Sequence, residues 1–264
     1  MNKKIKKILL KKNKTKIVSL TAYSKSIAKI LDKHVDIVLV GDSMANVLYS
    51  HKNTHKITLE NIIQHTLSVK KGIKKSLLVV DMPKGTYNNS KSALKNAKVV
   101  INKTGCDAIK LENTKKNYKI IKFLVENKIH VMGHIGYTPQ FKKKFKIEGQ
   151  NKFEMIKLLN EAKLIEKAGA FSIVLECLSV KAAKFITKKI HIPTIGIGSS
   201  THCDGQILVT DDMLGLSGFY PKFVKKYANL KGTIEKAVKK YTRDVKLTNF
   251  PSPQNFLNGP KLRK

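Results

Sequence analysis

The sequence has no tryptophan, little acid and almost no arginine, although it is strongly basic. Its 264 residues include 18 Asp and Glu against 52 Lys and Arg, and arginine occurs only at positions 243 and 263. Proteins that read nucleic acids favour arginine for bidentate contacts and stack bases on aromatic side chains, which make up only 7% of this chain. The sequence therefore predicts no specific nucleic-acid partner. A basic nucleic-acid-binding protein is the alternative from a different functional class.

Long apolar runs and paired cysteines are missing as well. No stretch approaches the ~20 apolar residues of a membrane span, and the first residues lack the apolar core of a signal peptide. We therefore expect a cytoplasmic protein with no membrane partner. Cys106, Cys177 and Cys203 are too few and too scattered for a disulfide framework or a Cys-x-x-Cys metal site, so each is expected to be a free thiol.

Short runs rich in β-branched residues alternate with longer segments of helical periodicity. Near-continuous apolar strands between helices are typical of a parallel sheet that is buried on both faces. Eight such units in about 250 residues predict an α/β fold, a (β/α)8 TIM-type barrel, with an open doubly wound sheet as the alternative. The predicted strands are Lys16–Leu20, Asp36–Val40, Ser76–Asp81, Asp107–Leu111, His130–Gly133, Phe171–Glu176, Pro193–Ile197 and Ile207–Thr210.

The chain is expected to form a single domain over residues 1–264, with a basic amphipathic helix at about 2–12 and an irregular tail at about 250–264. Thr58 is a plausible N-cap for one of the helices between the strands. The predicted helices are Thr58–Lys71, Ser90–Thr104, Lys115–Asn127, Lys152–Ala168, Lys181–Lys189, Pro221–Asn229 and Thr233–Asp244.

Acidic residues are rare here, yet several fall where a predicted strand ends. Asp42, Asp81, Glu112 and Glu176 have this position, and strand eight is expected to lead into Asp211 and Asp212. Barrel enzymes build their active sites at these carboxyl ends. Buried carboxylates are costly unless they are paired or bind a cation, so the group predicts a hard divalent metal, most simply Mg²⁺. The alternative is that some of these acids pair with lysines or cap helices, and Glu112 is a ligand either directly or through a water.

A metal with open positions can chelate a 2-oxo acid and so acidify its C3 proton. Lys110 lies on the same face of its strand as Glu112 because side chains alternate along a strand. It is expected to neutralise a substrate carboxylate or a developing enolate, or to pair with Glu112. Glu176 is the remaining acid and is the candidate proton acceptor. His134 ends strand five and is more typical of a group that hydrogen-bonds beside a metal than of a ligand.

Motifs in order along the chain resemble those of the ketopantoate hydroxymethyltransferase family, which belongs to the phosphoenolpyruvate/pyruvate-like barrel superfamily with phosphoenolpyruvate mutase and isocitrate lyase. The similarity runs from residue 20 to about residue 256. The segments that carry it include Leu39-Val40-Gly41-Asp42-Ser43, Lys110-Leu111-Glu112, Val131-Met132-Gly133-His134-Ile135-Gly136-Tyr137-Thr138-Pro139-Gln140, Val174-Leu175-Glu176-Cys177 and Ile192-Pro193-Thr194-Ile195-Gly196-Ile197-Gly198.

The resemblance implies that Asp42 and Asp81 bind Mg²⁺ with Glu112 in or near its shell. It also implies that Ser43 and Lys110 join the two aspartates in binding the 2-oxo acid, and that Glu176 accepts the proton. The implied reaction transfers a one-carbon unit from 5,10-methylenetetrahydrofolate to 3-methyl-2-oxobutanoate through a Mg-stabilised enolate, giving 2-dehydropantoate for pantothenate biosynthesis.

Members of the family are typically homodecamers. Lys84 stands where the family usually has Phe, and Ser199-Ser200 where it has Ala-Gly. Another superfamily enzyme, a 2-oxo acid lyase or a phosphonopyruvate-type mutase that ignores tetrahydrofolate, is the alternative activity.

Overall fold

The computed structural model describes residues 2–113, 117–142, 145–218 and 220–257. The chain divides into two compact units, Met1–Thr210 and Asp211–Lys264. Among the described residues, the first unit contains all the strands and the second contains the last long helix. That residues 1–264 form a single domain stays a prediction.

The first unit is a closed barrel of eight parallel strands. Each strand pairs with the next along the chain, and β8 pairs with β1. The (β/α)8 prediction is confirmed, and the open sheet is excluded because the ladder has no free edge. The strands are β1 Ile17–Thr21, β2 Ile37–Val40, β3 Leu77–Asp81, β4 Ala108–Glu112, β5 Val131–Gly136, β6 Ser172–Glu176, β7 Thr194–Ile197 and β8 Gly205–Leu208.

Helices follow the strands much as the periodicity predicts. Thr58 is the N-cap of α4, and its hydroxyl accepts a hydrogen bond from the amide of Asn61 at 3.1 Å. Residues 115 and 116 of the predicted helix Lys115–Asn127 lie outside the described residues. The α-helices are α1 Lys3–Leu10, α2 Lys25–Leu31, α3 Met44–Val47, α4 Leu59–Lys70, α5 Ser90–Thr104, α6 Tyr118–Glu126, α7 Lys152–Lys167, α8 Val180–Lys189, α9 Thr210–Met213 and α10 Leu230–Lys246, and short 3₁₀ helices cover Thr54–Lys56 and Pro253–Asn255.

The helix predicted at Pro221–Asn229 is wrong. The backbone there bonds to an earlier segment of the second unit: the amide of Tyr227 donates to the carbonyl of Met213 at 2.8 Å. The amide of Leu230 likewise donates to the carbonyl of Leu214 at 2.9 Å. Backbone donors that are satisfied in this way are not available for a helical ladder. Residues 258–264 of the predicted irregular tail lie outside the described residues.

The apolar core of the first unit has two layers. One fills the barrel with side chains such as Leu39, Val79 and Met132, and the other packs the strands against the helices. The predicted basic N-terminal helix is α1, which buries Ile5 and Ile8 in the interior layer and so closes the amino end of the barrel. Barrel enzymes build their active sites at the opposite, carboxyl end of the strands. In the described parts of the chain, we find no helix with the length and apolarity needed to cross a membrane.

Candidate active site

Alternation along the strands places the predicted site residues on one surface. Leu77 and Val79 point into the barrel, and the same parity carries Asp81 inward at the end of β3. Ala108 sets the same parity for Lys110 and Glu112 on β4. On β5 the interior residue Met132 sets the parity that directs His134 inward, and on β6 Val174 does the same for Glu176. Four neighbouring strands therefore direct polar side chains into the carboxyl end of an otherwise apolar barrel.

Asp81 and Lys110 form a buried ion pair in this end of the barrel. Lys110 Nζ lies 2.5 Å from Asp81 Oδ1, and the two side chains are 7% and 3% exposed. Their Cα atoms are register partners across β3 and β4, which brings the side chains together. Burial lowers the pKa of the Lys110 amine, but the charges of Asp81 and Asp42 outweigh burial and leave that pKa raised, so the amine is a cation. The alternative that Lys110 pairs with Glu112 is wrong, since its partner is Asp81.

Asp42 follows β2 and lies beside this pair. Its backbone amide donates to Asp81 Oδ2 at 3.2 Å, and its own Oδ2 accepts a hydrogen bond from Gln140 Nε2 at 2.9 Å. Burial and then the charge of Asp81 raise the pKa of the Asp42 carboxyl to about 7. A cation bound to both carboxylates would relieve the repulsion from Asp81 that helps to raise this pKa.

Glu112 and His134 occupy the next two strands as register partners. The backbone amide of Gln140 donates to Glu112 Oε2 at 3.0 Å. Burial, followed by the charge of Asp42, raises the pKa of Glu112 well above its ordinary value. Burial and the Lys110 charge lower the pKa of His134 well below its ordinary value, so the imidazole is neutral.

Glu176 is the most accessible of these carboxyl groups, with its side chain 17% exposed. His134 Nε2 lies 3.1 Å from Glu176 Oε2, but neither ring nitrogen is aligned for a hydrogen bond with any part of the chain that the structure describes. Burial raises the pKa of the Glu176 carboxyl to about 8. Its ionised form is therefore a stronger base than an ordinary glutamate.

Ser43 lies immediately before α3, one residue after Asp42. Its Oγ shares a 2.8 Å hydrogen bond with the hydroxyl of Tyr23, which lies two residues beyond the end of β1. His65 Nδ1 bonds to the carbonyl oxygen of Tyr23 at 2.8 Å. A carbonyl oxygen only accepts hydrogen bonds, so Nδ1 of His65 carries the proton. The other ring nitrogen of His65, Nε2, is then an acceptor and lies 3.0 Å from the Tyr49 hydroxyl. Tyr23 is thus fixed from both sides, a role that strand periodicity does not reveal.

Strand eight ends earlier than predicted, so Asp211 and Asp212 do not stand at its end. Strand β8 ends at Leu208, and both acids lie in α9. The polar Thr210 breaks the apolar run and is tied to β1, because its hydroxyl donates to the carbonyl of Thr21.

The departures from the family pattern have local partners. The Ser199 hydroxyl donates to the carbonyl of Leu175 at 2.8 Å and accepts from the amide of Leu178 at 3.0 Å, so it ties the ends of β6 and β7 together. Lys84 is exposed, with its Nζ 3.4 Å from each ring nitrogen of His55. Cys106, Cys177 and Cys203 are buried free thiols, as expected.

The donor set fits a hard divalent cation. The carboxyl groups of Asp42, Asp81, Glu112 and Glu176 share this end of the barrel with the Lys110 amine, and repulsion between their charged forms contributes to the raised pKa values of Asp42 and Glu112. Within the described residues, no group of three or more His, Cys, Asp or Glu side chains is arranged to hold a metal ion. Mg²⁺ commonly takes only one or two carboxylates and completes its shell with water and substrate oxygens. Asp42 and Asp81 would supply two such carboxylates, and the ligand roles of Asp42, Asp81 and Glu112 stay predictions.

Gly136, at the end of β5, is essential for the placement of Glu176. Its φ is +95°, and a Cβ there would lie 2.1 Å from the Glu176 carbonyl oxygen. We expect Gly136→Ala to cost more than the ~1–3 kcal/mol of backbone strain alone, because the clash displaces β6. Thermal unfolding measures that cost. Gly85→Ala is the matched control, since Gly85 has a φ of +86° and open space around it. Equal destabilisation by the two variants would contradict the role given to the close contact.

Comparison with known proteins gives a consistent relationship. A sequence model of the family described as ketopantoate hydroxymethyltransferase matches residues 2–253. A 3-methyl-2-oxobutanoate hydroxymethyltransferase of Pelagibacter ubique is 56% identical over 255 residues, covering 97% of this chain and 99% of that protein. The enzyme of the same name from Anaplasma marginale (strain St. Maries) is 45% identical over 260 residues, covering 97% and 94%.

Solved structures extend the likeness at the level of the fold. A 2,3-dimethylmalate lyase, a member of the PEP mutase/isocitrate lyase superfamily, aligns with a TM-score of 0.65 at 13% identity, covering 91% of this chain and 88% of that one. A phosphonopyruvate hydrolase in complex with oxalate and Mg²⁺ aligns with a TM-score of 0.60 at 10% identity, covering 96% and 93%. The chain therefore shares its barrel fold with these two proteins.

Proposed function

The chain belongs to the ketopantoate hydroxymethyltransferase family, and on that premise we propose that it converts 3-methyl-2-oxobutanoate to 2-dehydropantoate with 5,10-methylenetetrahydrofolate as the one-carbon donor. The product would enter pantothenate biosynthesis. The observation that carries the proposal is the gathering of four carboxyl groups and the Lys110 cation at the carboxyl end of the barrel. Such a site suits an enolising reaction, in which a base removes a proton while cationic groups stabilise the charge that develops.

Asp42 and Asp81 would hold Mg²⁺, with Glu112 in or near its shell. When bound, the ion would withdraw charge from the oxo acid and acidify its C3 proton. Support comes from the carboxyl oxygens gathered at this end of the barrel and from the oxalate and Mg²⁺ of the phosphonopyruvate hydrolase, a protein of the same fold. Mg²⁺ prefers oxygen ligands and is commonly bound by one or two carboxylates, as the pair Asp42 and Asp81 would provide.

Lys110, with Ser43 and the two aspartates, would bind the 2-oxo acid. The Lys110 amine is charged and fixed by Asp81, so it is preorganised to neutralise an anionic oxygen of the substrate. The Ser43 hydroxyl is oriented by Tyr23 and offers a second hydrogen bond. A positive charge held here before the reaction begins costs no reorganisation when the enolate forms.

Glu176 would take the C3 proton. Its carboxylate is the most accessible of the set and its pKa of about 8 makes the ionised form a competent base. The electron pair of the broken C–H bond enters the enolate, whose C3 then forms a bond to the methylene carbon of the folate while one of that carbon's two C–N bonds breaks and its nitrogen takes the proton from Glu176. The second C–N bond breaks when water adds, and that nitrogen takes a proton from the water. Water supplies the hydroxyl group of the product, and tetrahydrofolate leaves. His134 lies beside Glu176, and its lowered pKa keeps the imidazole neutral, so it does not take up the proton in place of Glu176.

The last long helix supports a homo-oligomer, for which we propose the decamer. The large side chains of Ile234, Val238, Tyr241 and Val245 recur on one face of α10 at helical spacing and are 43%, 56%, 57% and 44% exposed. Exposed apolar stripes of this kind mark interfaces between proteins. Native mass spectrometry of the full chain reads the subunit number directly, and a monomer would contradict the decamer.

We retain the cytoplasm as the compartment because the three cysteines are free thiols.

The decisive experiment is proton NMR of 3-methyl-2-oxobutanoate in D₂O with the purified full-length protein and Mg²⁺. We expect loss of the C3 proton signal that depends on the metal, and a hydroxymethylated product once 5,10-methylenetetrahydrofolate is added. Exchange without product would favour a superfamily enzyme that does not use the folate. Absence of both with folded, metal-loaded protein would overturn the proposal.

A further inference from the structure

Gln140 connects more parts of the site than any single predicted residue does. It lies in the loop after β5, its side chain is 1% exposed, and four hydrogen bonds fix it. Its Nε2 donates to Asp42 Oδ2 at 2.9 Å and to the Met82 carbonyl at 3.0 Å, its Oε1 accepts from the Tyr87 hydroxyl at 2.5 Å, and its backbone amide donates to Glu112 Oε2 at 3.0 Å.

The orientation of this amide follows from its partners. A carboxylate and a carbonyl oxygen both only accept hydrogen bonds, so the NH₂ group must face Asp42 and Met82. The amide oxygen is then left facing Tyr87, whose hydroxyl must donate to it. A flipped amide would leave two buried acceptors without donors, and each would cost about 1–3 kcal/mol. Gln140 therefore has one orientation in this site.

The two carboxylates that Gln140 binds come from strands that are not neighbours. Asp42 follows β2 and Glu112 ends β4, with β3 between them. The side chain of Gln140 fixes one carboxylate, its backbone fixes the other, and its bond to Met82 fixes the loop to the end of β3. Gln140 binds one oxygen of each carboxylate, Oδ2 of Asp42 and Oε2 of Glu112. It makes no bond to Oδ1 of Asp42 or to Oε1 of Glu112.

We propose that Gln140 is a positioning residue that sets Asp42 and Glu112 for the divalent cation, and that the Tyr87 hydroxyl fixes Gln140 in turn. The proposal rests on the proposed function, because it assumes a cation at these carboxylates. It assigns Gln140 no contact with the substrate. Groups that orient metal ligands in this way commonly change metal affinity by about 10- to 100-fold when they are removed.

Two variants test the inference on the full-length protein, with Mn²⁺ as an EPR-visible probe of the Mg²⁺ site. Gln140→Met keeps the length of the side chain and removes both donors to Asp42 and Met82. Tyr87→Phe removes only the hydroxyl that holds the amide and leaves all carboxylates and charges in place. Matched controls are Gln64→Met, on the exposed face of α4, and Tyr227→Phe, which is 66% exposed.

We expect the Kd for Mn²⁺ to rise by about tenfold or more in Gln140→Met and by several-fold in Tyr87→Phe. Neither control should move it. The Mg²⁺ concentration for half-maximal activity should rise in parallel, with kcat at saturating metal changing less, which general destabilisation would not produce.

Each outcome decides the matter. A Mn²⁺ Kd within twofold of wild type in both variants would overturn the role of Gln140 and leave the proposed function intact. If Gln140→Met does not fold, the Tyr87→Phe value decides alone. If the wild-type protein binds no Mn²⁺ or Mg²⁺, the metal in the proposed function fails, and the inference fails with it.

Discussion

Replacement of Glu176 by glutamine should slow C3 proton exchange from 3-methyl-2-oxobutanoate by about 10²- to 10⁴-fold, the range typical for loss of a general base. The amide keeps the shape of the side chain and its place beside His134, but it cannot take a proton. Proton NMR in D₂O at saturating Mg²⁺ measures the exchange directly. Glu126→Gln is the matched control, because Glu126 is an exposed glutamate on α6.

The same substitution should not destabilise the fold. The pKa of Glu176 is raised to about 8 by burial, so the folded state disfavours the ionised form relative to the unfolded chain. Wild-type stability should therefore fall as the pH rises from the ordinary glutamate pKa towards about 8, and a neutral glutamine escapes this loss. Thermal unfolding at pH 8 should show a Tm for Glu176→Gln at or above that of wild type. Exchange within tenfold of wild type in a variant that stays folded would mean that another group is the base.

The fold was predictable from the sequence because a buried parallel barrel gives a strong local signal. The β-branched runs at the first seven strands agree with the structure to within a few residues. Strand eight is displaced towards the amino terminus, since β8 begins at Gly205 whereas the apolar run that indicates it begins at Ile207. Gly205 fits there because a Cβ would lie 2.4 Å from the Ile17 carbonyl oxygen, a contact between strands distant in sequence.

The site was predictable only as far as strand parity reaches. Parity places Asp81, Lys110 and Glu112 on the interior face, but it does not say which carboxylate Lys110 meets. That choice follows from the register between β3 and β4, where Asp81 and Lys110 are partners. Gln140 was not predictable, because its loop folds across the end of β3 and its partners lie 98 and 28 residues away along the chain.

The ion pair between Asp81 and Lys110 makes the second large prediction. Asp81→Asn should lower the free energy of unfolding by about 3–5 kcal/mol, because it leaves the Lys110 cation buried without its partner. It should also lower the catalytic rate by about 10³-fold, since the same carboxylate is a proposed cation ligand and several kcal/mol of transition-state stabilisation depend on it. Urea unfolding and the NMR assay measure the two effects separately.

The double variant Asp81→Asn/Lys110→Met separates stability from activity. Removing both charges of a buried pair is often close to neutral, so most of the stability lost in the single variant should return. Activity should stay at the level of the single variant or below it, because the cation that would neutralise the substrate is now missing as well. A double variant as unstable as the single one would show that the unpaired lysine is not the cause of the loss. A double variant that regains activity together with stability would show that the pair is structural, and the enolising site would have to lie elsewhere in the barrel.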